Sequence, residues 1–196
     1  MNPRIAGLLI SATFGCGIAA TANTVATAQL FRSPDANASP LQQLFGFGSS
    51  PVQRRLVSFP GSYRPGTIVI STSGRRLFFV NARGEAISYG IGVGRDGFTW
   101  TGTHRVSMKR EWPDWTPPAE MLHRRPDLPR HMVGGIENPL GARAIYLGSS
   151  LYRIHGSNEP ETIGQAVSSG CFRMTNEDVV DLYSRVRVGA TVVVLR

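Results

Sequence analysis

The sequence predicts a mainly β domain that contains one substantial helix close to its C-terminus. Two observations carry this prediction. From position 67 onwards, short runs of β-branched and aromatic residues alternate with turn sequences, which is typical of hairpin-linked strands. Residues 176–187 instead combine apolar side chains at helical spacing with acidic residues at the start and arginines at the end. With 196 residues, the chain has room for one domain and some additional sequence.

The first 28 residues have the layout of a secretory signal peptide. A positive start at residues 1–4 precedes an apolar or small stretch over residues 5–20, and residues 26–28 form an A-x-A cleavage site. The apolar stretch is too short and too rich in small residues for a permanent transmembrane helix. Lipidation of Cys16 is an alternative fate for this segment. We therefore expect an exported protein that is located in the periplasm.

The next segment, residues 29–64, is rich in Ser, Pro, Gly, Gln and Asn, and it predicts a flexible tether. A short turn of helix over residues 41–47 is an alternative for part of it. The predicted order is therefore a signal peptide over residues 1–28, a tether over residues 29–64 and a folded domain over residues 65–196.

The domain should contain seven strands, each a short run of β-branched or aromatic residues bounded by turn sequences. They are predicted at residues 67–72, 75–80, 86–93, 102–111, 142–148, 151–156 and 190–196. Between the fourth and fifth strands, residues 112–141 contain six prolines and two tryptophans without periodicity, which predicts a functional loop or lid. Asn176 should be the N-cap of the helix. The apolar face of that helix should carry Val179, Leu182, Tyr183 and Val186.

The formal net charge of +8 comes almost wholly from arginine. Such an excess suits an acidic partner, for example an anionic polymer. The arginines are scattered, however, and no basic cluster is interleaved with aromatic residues, so nucleic-acid binding is not predicted. A mean hydropathy of −0.09 argues against a membrane protein with several spans.

Removal of the signal peptide would leave Cys171 as the single cysteine, which cannot form an internal disulfide. It is therefore either an inert buried residue or a nucleophile that needs a base to remove its proton. The sequence offers four histidines as that base. Of these, His155 ends a predicted strand, and the loop after it can fold back towards Cys171. The remaining candidates are His104, His123 and His131.

Two neighbours of Cys171 have a chemical use. Gly170 would let the backbone approach a reacting carbonyl closely, so that nearby N–H groups could hold an oxyanion. Arg173 could clamp a substrate carboxylate, or it could be a supporting surface residue. The histidines lack the close spacing of metal ligands and Cys171 has no cysteine partner, so neither a metal nor a cofactor is predicted.

These residues resemble the active-site half of the YkuD-type L,D-transpeptidases, whose signature is H-G-x…[ST]-x-G-C-x-R-[ML]. The chain matches it with His-Gly at residues 155–156 and Ser-Ser-Gly-Cys-Phe-Arg-Met at residues 168–174. The resemblance extends from about Gly66 to Leu195 and includes "TWTGTHRV" at residues 99–106. It implies a β-sandwich fold with the main helix directly after the cysteine.

The resemblance also implies a role for each residue of the signature. Cys171 would be the acylated nucleophile and His155 its general base. Ser169 stands where many members of the family have a histidine, so a role for a second histidine is not expected. The carbonyl of Gly156 or Ser157 would orient the ring of His155. Ser169 and Gly170 would form an oxyanion pocket with Cys171. Arg173 would bind substrate or order the loop.

The implied reaction is the formation of 3→3 crosslinks between peptidoglycan stem peptides with release of D-alanine, by a monomeric enzyme. Two alternatives keep the chemistry and change the acceptor: water, giving a carboxypeptidase, or the amine of an outer-membrane protein. A third alternative is a non-catalytic wall-binding module. The loop that contains Trp112 and Trp115 is either a lid that contacts substrate and excludes water or aromatic packing over the sandwich.

Overall fold

The structure, a computed structural model, describes residues 50–196. It contains eleven strands and two α-helices, numbered here in chain order. The strands are β1 (Arg55–Ser58), β2 (Ile68–Ser71), β3 (Arg76–Ala82), β4 (Glu85–Gly90), β5 (Val93–Gly94), β6 (Gly102–Glu111), β7 (Arg143–Leu147), β8 (Arg153–His155), β9 (Ala166–Ser168), β10 (Phe172–Arg173) and β11 (Thr191–Leu195). The helices are α1 (Ala119–Arg124) and α2 (Asn176–Arg185), and a 3-10 turn spans Pro160–Thr162.

Nine strands form one mixed sheet in the order β1-β4-β3-β2-β11-β6-β7-β8-β10, while β5 pairs with β9 separately. The last strand, β11, is central: it pairs in parallel with β2 and antiparallel with β6. It thereby joins the N-terminal hairpins to the half of the sheet that ends at β8 and β10.

The core forms where the inward side chains of the sheet meet α2. Alternate residues of β11, Val192 and Val194, are almost completely buried, as the strand period of two requires, whereas the residues 68–70 of β2 are all buried. The helix contributes Val179, Leu182 and Val186 to the same cluster, and the partly buried Tyr183 packs against it. These are the four residues that helical spacing assigned to one face. The helix therefore fixes the position of the segment that immediately precedes it, which includes Cys171.

The N-cap of α2 is Thr175, and the prediction that Asn176 would cap the helix is wrong by one residue. Thr175 has an extended backbone, and its hydroxyl accepts a hydrogen bond from the Asp178 N–H at 3.2 Å. Asn176 is the first helical residue, and its side-chain oxygen accepts from the Ala142 N–H at 2.8 Å. Its side chain therefore connects the start of α2 to the residue that directly precedes β7.

The folded region begins earlier than the predicted boundary at residue 65. Strand β1 lies inside the segment predicted to be a tether and pairs antiparallel with β4. Phe59 then stacks on Phe78 with 4.8 Å between ring centroids. The signal peptide and the first part of the tether fall on residues 1–49, outside the region that the structure describes. Within residues 50–196, no helix is long and apolar enough to cross a membrane.

The loop at residues 112–141 is more ordered than its sequence suggests. It contains α1, which the sequence analysis did not predict. The backbones of Trp115 and Met132 exchange two hydrogen bonds of 2.8 Å. The buried side chain of Asn138 donates to the carbonyls of Pro113 and Val133 at 3.1 and 3.0 Å. One buried amide thus satisfies backbone groups from both ends of the loop.

Candidate active site

The strand that ends at the predicted base lies beside the strand that follows the predicted nucleophile. Strands β8 and β10 pair in parallel, with Arg173 opposite His155. Ile154 and Phe172, which are opposite each other, are buried in the core. Because successive side chains point to opposite faces, the neighbours of these two residues share the other face. That face carries Arg153, His155 and Arg173, and we expect Cys171, which directly precedes β10, to lie on it as well.

His155 is held in one orientation and one tautomer. Its ring is 5% exposed, and Nδ1 lies 2.6 Å from the carbonyl oxygen of Gly156. Since a carbonyl can only accept, Nδ1 carries the proton and Nε2 keeps its lone pair. The backbone of His155 is fixed as well, because its carbonyl accepts from the Met174 N–H at 2.8 Å. The ring is therefore positioned to accept a proton at Nε2.

The surroundings keep this ring neutral. Burial is the main cause that lowers the pKa of His155 to about 3, and the positive charges of Arg173 and Arg153 lower it further. The hydrogen bond to the Gly156 carbonyl opposes the shift. At neutral pH the imidazole is a free base.

Cys171 is a thiol in the resting site. Its S–H points towards the carbonyl oxygen of Leu151, 3.8 Å from Sγ. Burial raises the pKa of the thiol, and the hydrogen bond from the Arg153 backbone, together with the guanidinium groups of Arg153 and Arg173, only partly opposes that effect. The resting site therefore holds a neutral thiol and a neutral imidazole, and not a thiolate–imidazolium pair. The proton must move to His155 as the sulfur attacks, which is general base catalysis.

This arrangement predicts the pH dependence of thiol alkylation. The rate of reaction with iodoacetamide should keep rising beyond pH 9, because burial holds the pKa of Cys171 above its ordinary value of 9.0. Alkylation of the single remaining cysteine can be followed by intact mass at a series of pH values. A rate that levels off between pH 6 and 7 would instead indicate a thiolate paired with imidazolium.

The loop before Cys171 is shaped by Ser168, which the sequence analysis did not single out. Its hydroxyl donates to the Cys171 carbonyl at 2.6 Å and accepts from the Gly170 N–H at 3.1 Å. Gly170 has a φ of +108°, and a Cβ there would lie 2.7 Å from a ring carbon of Tyr152. Only glycine fits this position without displacing a neighbour. Because the Gly170 N–H is bound to Ser168, we expect the Cys171 N–H to be the oxyanion donor.

Trp100 also contacts this loop, which precedes Cys171. Its Nε1–H donates to the Gly170 carbonyl at 2.8 Å, and its ring stacks on Tyr152 with centroids 4.4 Å apart. This residue belongs to the "TWTGTHRV" segment, for which the sequence predicts no role in the site. No local pattern could have assigned one, since its partner lies 70 residues away.

Replacement of Trp100 with phenylalanine tests this support. The change keeps a smaller aromatic ring against Tyr152 and removes the hydrogen bond to Gly170, which contributes about 1 kcal/mol. We expect acylation of Cys171 to slow by about fivefold to tenfold with little loss of thermal stability. The acylated fraction, measured by mass spectrometry after quenching at a series of times, would check this. An unchanged rate would show that the loop does not need this bond.

Arg173 orders the loop after His155. Its guanidinium forms an ion pair with Glu159, with Nη1 and Oε2 2.7 Å apart. Its backbone exchanges two hydrogen bonds of 2.9 Å with Gly92. Ser157, the second residue after His155, accepts from the Glu159 N–H at 3.0 Å. These contacts are compatible with a role for Arg173 in ordering the loop, and substrate binding by Arg173 stays a prediction.

The profile of the YkuD L,D-transpeptidase catalytic domain matches residues 65–194. The chain belongs to this family. Two relatives from Escherichia coli strain K12, the probable L,D-transpeptidases ErfK/SrfK and YbiS, are 36% and 35% identical to it. The alignments cover 69% and 68% of this chain but 46% and 45% of the relatives. The L,D-transpeptidase domain therefore spans about half the length of the curated relatives it matches.

Two solved structures are similar to the chain in fold. A Brucella melitensis protein described as a probable carnitine operon oxidoreductase is 46% identical, with a TM-score of 0.51, over 75% of this chain and 96% of that chain. An L,D-transpeptidase from Mycobacterium smegmatis has a TM-score of 0.53 at 16% identity, over 66% of this chain and 58% of that chain. The second likeness shows the fold alone. The predicted mainly β fold with one main helix is confirmed.

Arg153 belongs to the site of this L,D-transpeptidase domain and was missed in the sequence. By continuation of the β8–β10 register it lies opposite Cys171, and its guanidinium is 5.1 Å from the ring centroid of Tyr146. Its Nε is buried and has no hydrogen-bond partner within residues 50–196. Strand alternation could have found it, because it precedes His155 by two residues and must share its face.

Within residues 50–196, the other histidines form no hydrogen bond with Cys171. In the described part of the chain, Trp112 and Trp115 make no hydrogen bond or ring contact with Cys171 or His155, and their substrate role stays a prediction. His104 packs edge-on against Trp100. His123 is exposed on α1, and His131 is exposed beside Thr116. Among residues 50–196, no three His, Cys, Asp or Glu side chains are grouped as metal ligands.

Proposed function

We propose that the protein is a peptidoglycan L,D-transpeptidase that forms 3→3 crosslinks through a Cys171 acyl-enzyme and releases D-alanine. One observation carries the proposal. Cys171 directly precedes β10, which pairs with the strand that ends at His155, and the imidazole has its free lone pair at Nε2. Membership of the L,D-transpeptidase family supplies the reaction class.

In the first half-reaction, Sγ of Cys171 attacks the carbonyl carbon of the third residue of a tetrapeptide stem. Nε2 of His155 accepts the thiol proton as the carbon–sulfur bond forms, and the carbonyl oxygen becomes an oxyanion at the Cys171 N–H. Collapse breaks the carbon–nitrogen bond to D-alanine. His155 returns its proton to the departing amine, which leaves a thioester and a neutral imidazole.

In the second half-reaction, an amine from the third residue of another stem attacks the thioester. His155 takes a proton from that amine and returns it to the sulfur as the carbon–sulfur bond breaks. The product is a 3→3 crosslink, and the thiol is regenerated. Water as acceptor gives a carboxypeptidase instead, and an amine of an outer-membrane protein gives anchoring to the wall.

We place this reaction in the periplasm, as the signal-peptide pattern of residues 1–28 supports. The net charge of +8 suits an anionic wall polymer. We also propose that carbapenems, which can acylate a cysteine nucleophile, inhibit the enzyme, whereas penicillins do not.

Incubation of the purified protein with tetrapeptide muropeptides, followed by mass spectrometry of the products, tests the proposal. Dimers joined 3→3 with free D-alanine support it. Tripeptides without dimers would favour the hydrolase, and no product would favour a binding module. A carbapenem adduct that is present in the wild type and absent in Cys171→Ala would identify the acylated residue independently.

A further inference from the structure

A turn between β5 and β6 holds two arginine side chains against one phenyl ring. The guanidinium carbons of Arg95 and Arg124 lie 4.3 and 5.6 Å from the ring centroid of Phe98. The two charges are therefore no more than about 10 Å apart. Within residues 50–196, no carboxylate lies within ion-pair distance of either guanidinium.

Such a pair is suited to an anion. Two uncompensated positive charges at this separation repel each other, and a negative group between them would relieve that repulsion. Each guanidinium presents a planar set of donors that matches the two oxygens of a carboxylate. Stacking on Phe98 limits the rotation of both groups, so less side-chain entropy is lost when an anion binds.

The position of the turn connects this pair to the nucleophile. The Arg95 N–H donates to the Ser168 carbonyl at 3.0 Å, and Nη1 of Arg95 lies 3.4 Å from the Ser169 hydroxyl. Ser169 precedes Cys171 by two residues in the loop that carries it. Strand β5, just before the turn, also pairs with β9, which leads into the same loop. The charge of Arg95 is thus fixed beside the reacting centre.

Arg124 reaches the same ring from a different part of the chain. It is the last residue of α1, in the loop at residues 112–141 that the sequence predicted to be a lid. The Arg124–Phe98 contact therefore connects this loop to the turn beside the nucleophile. A ligand held by both arginines would contact the loop and the catalytic loop at the same time.

We propose that Arg95 and Arg124, supported by Phe98, bind a carboxylate of the acyl-donor stem peptide. The inference rests on the proposed transpeptidase function, because it takes its ligand from the peptidoglycan stem. The donor is favoured over the acceptor since its scissile carbonyl must sit at the loop of Ser169 and Cys171, where Arg95 is anchored. Carboxylates of the donor close to that carbonyl are then within reach of the arginine pair.

The test compares the purified protein with its R95M/R124M variant, using tetrapeptide stems with free or amidated carboxyl groups. We expect the variant to raise KM for acylation by the free-carboxyl donor by about tenfold, which corresponds to about 1.4 kcal/mol. It should change KM for the amidated donor much less. R95K/R124K should recover part of the loss, because it keeps the charges, and R130M, a change at an exposed arginine of the same loop, should behave as the wild type.

Equal KM values for wild type and variant with the free-carboxyl donor would overturn the proposal. An effect confined to the transfer of the acyl group to the acceptor amine, with acylation unchanged, would also overturn it and assign the pair to the acceptor. Failure of the proposed function would look different, because the unmodified protein would then form no acyl-enzyme with either donor.

Discussion

Replacement of His155 with glutamine should lower the rate of Cys171 acylation by about 10²- to 10⁴-fold, the range in which a general base contributes. The buried imidazole is neutral and presents Nε2 as the acceptor, whereas the glutamine amide cannot take up a proton at neutral pH. Glutamine can still donate a hydrogen bond to the Gly156 carbonyl, so the local fold should survive. The measurement is the single-turnover appearance of acylated protein by intact mass.

His123→Gln is the matched control, because His123 is exposed on α1, and it should acylate at the wild-type rate.

The pH dependence of stability provides a second readout. The unfolded chain protonates His155 below about pH 6.5, whereas burial keeps the folded ring neutral down to about pH 3. The wild type should therefore lose stability as the pH falls from 6.5 towards 3, and His155→Gln should lack this component. Full acylation activity in His155→Gln would contradict the base assignment.

Substitution of Gly170 by alanine should reduce acylation by about 10²- to 10³-fold, the loss that removal of an oxyanion donor causes. The φ of +108° at Gly170 disfavours any side chain, and the new Cβ would lie 2.7 Å from the Tyr152 ring. The loop must then shift, which carries the Cys171 N–H and Sγ away from the substrate carbonyl. Acylation rates and thermal unfolding of the variant check this expectation.

Gly84→Ala separates backbone strain from crowding. Gly84 also has a positive φ, +80°, but a Cβ there would meet no atom within 4 Å. It lies in the turn between β3 and β4, away from the catalytic loop. We expect this control to lose about 1 kcal/mol of stability through strain alone and to keep its activity. If both variants were equally active, crowding at Gly170 would have no catalytic consequence.

The strand that ends at His155 was predictable because its signal is local, and β8 lies inside the predicted strand at residues 151–156. The predicted strand at residues 102–111 likewise coincides with β6. Strand β10 was not predicted, and neither was its pairing with β8. The sequence indicated that the loop after His155 could return, while the parallel register that places the strand after Cys171 beside the strand that ends at His155 needed coordinates.

Other features depend on contacts between distant segments, and no sequence pattern reports those. Thr175 rather than Asn176 caps α2 because the Asn176 side chain is engaged with Ala142, 34 residues away. Strand β1 forms because its backbone pairs with β4, although the side chains of β1 are mostly exposed. The resting protonation of Cys171 likewise follows from burial, and local sequence carries no information about it.

The central claim is that Cys171 carries the donor peptide as a thioester, and one measurement tests it most directly. The purified protein is mixed with a tetrapeptide donor in the absence of an acceptor amine, quenched in acid and analysed by intact and peptide mass spectrometry. The account predicts an adduct of the donor without its terminal D-alanine, located on Cys171, with one equivalent of D-alanine released. Release of D-alanine by Cys171→Ala at the wild-type rate, or an adduct on another residue, would contradict it.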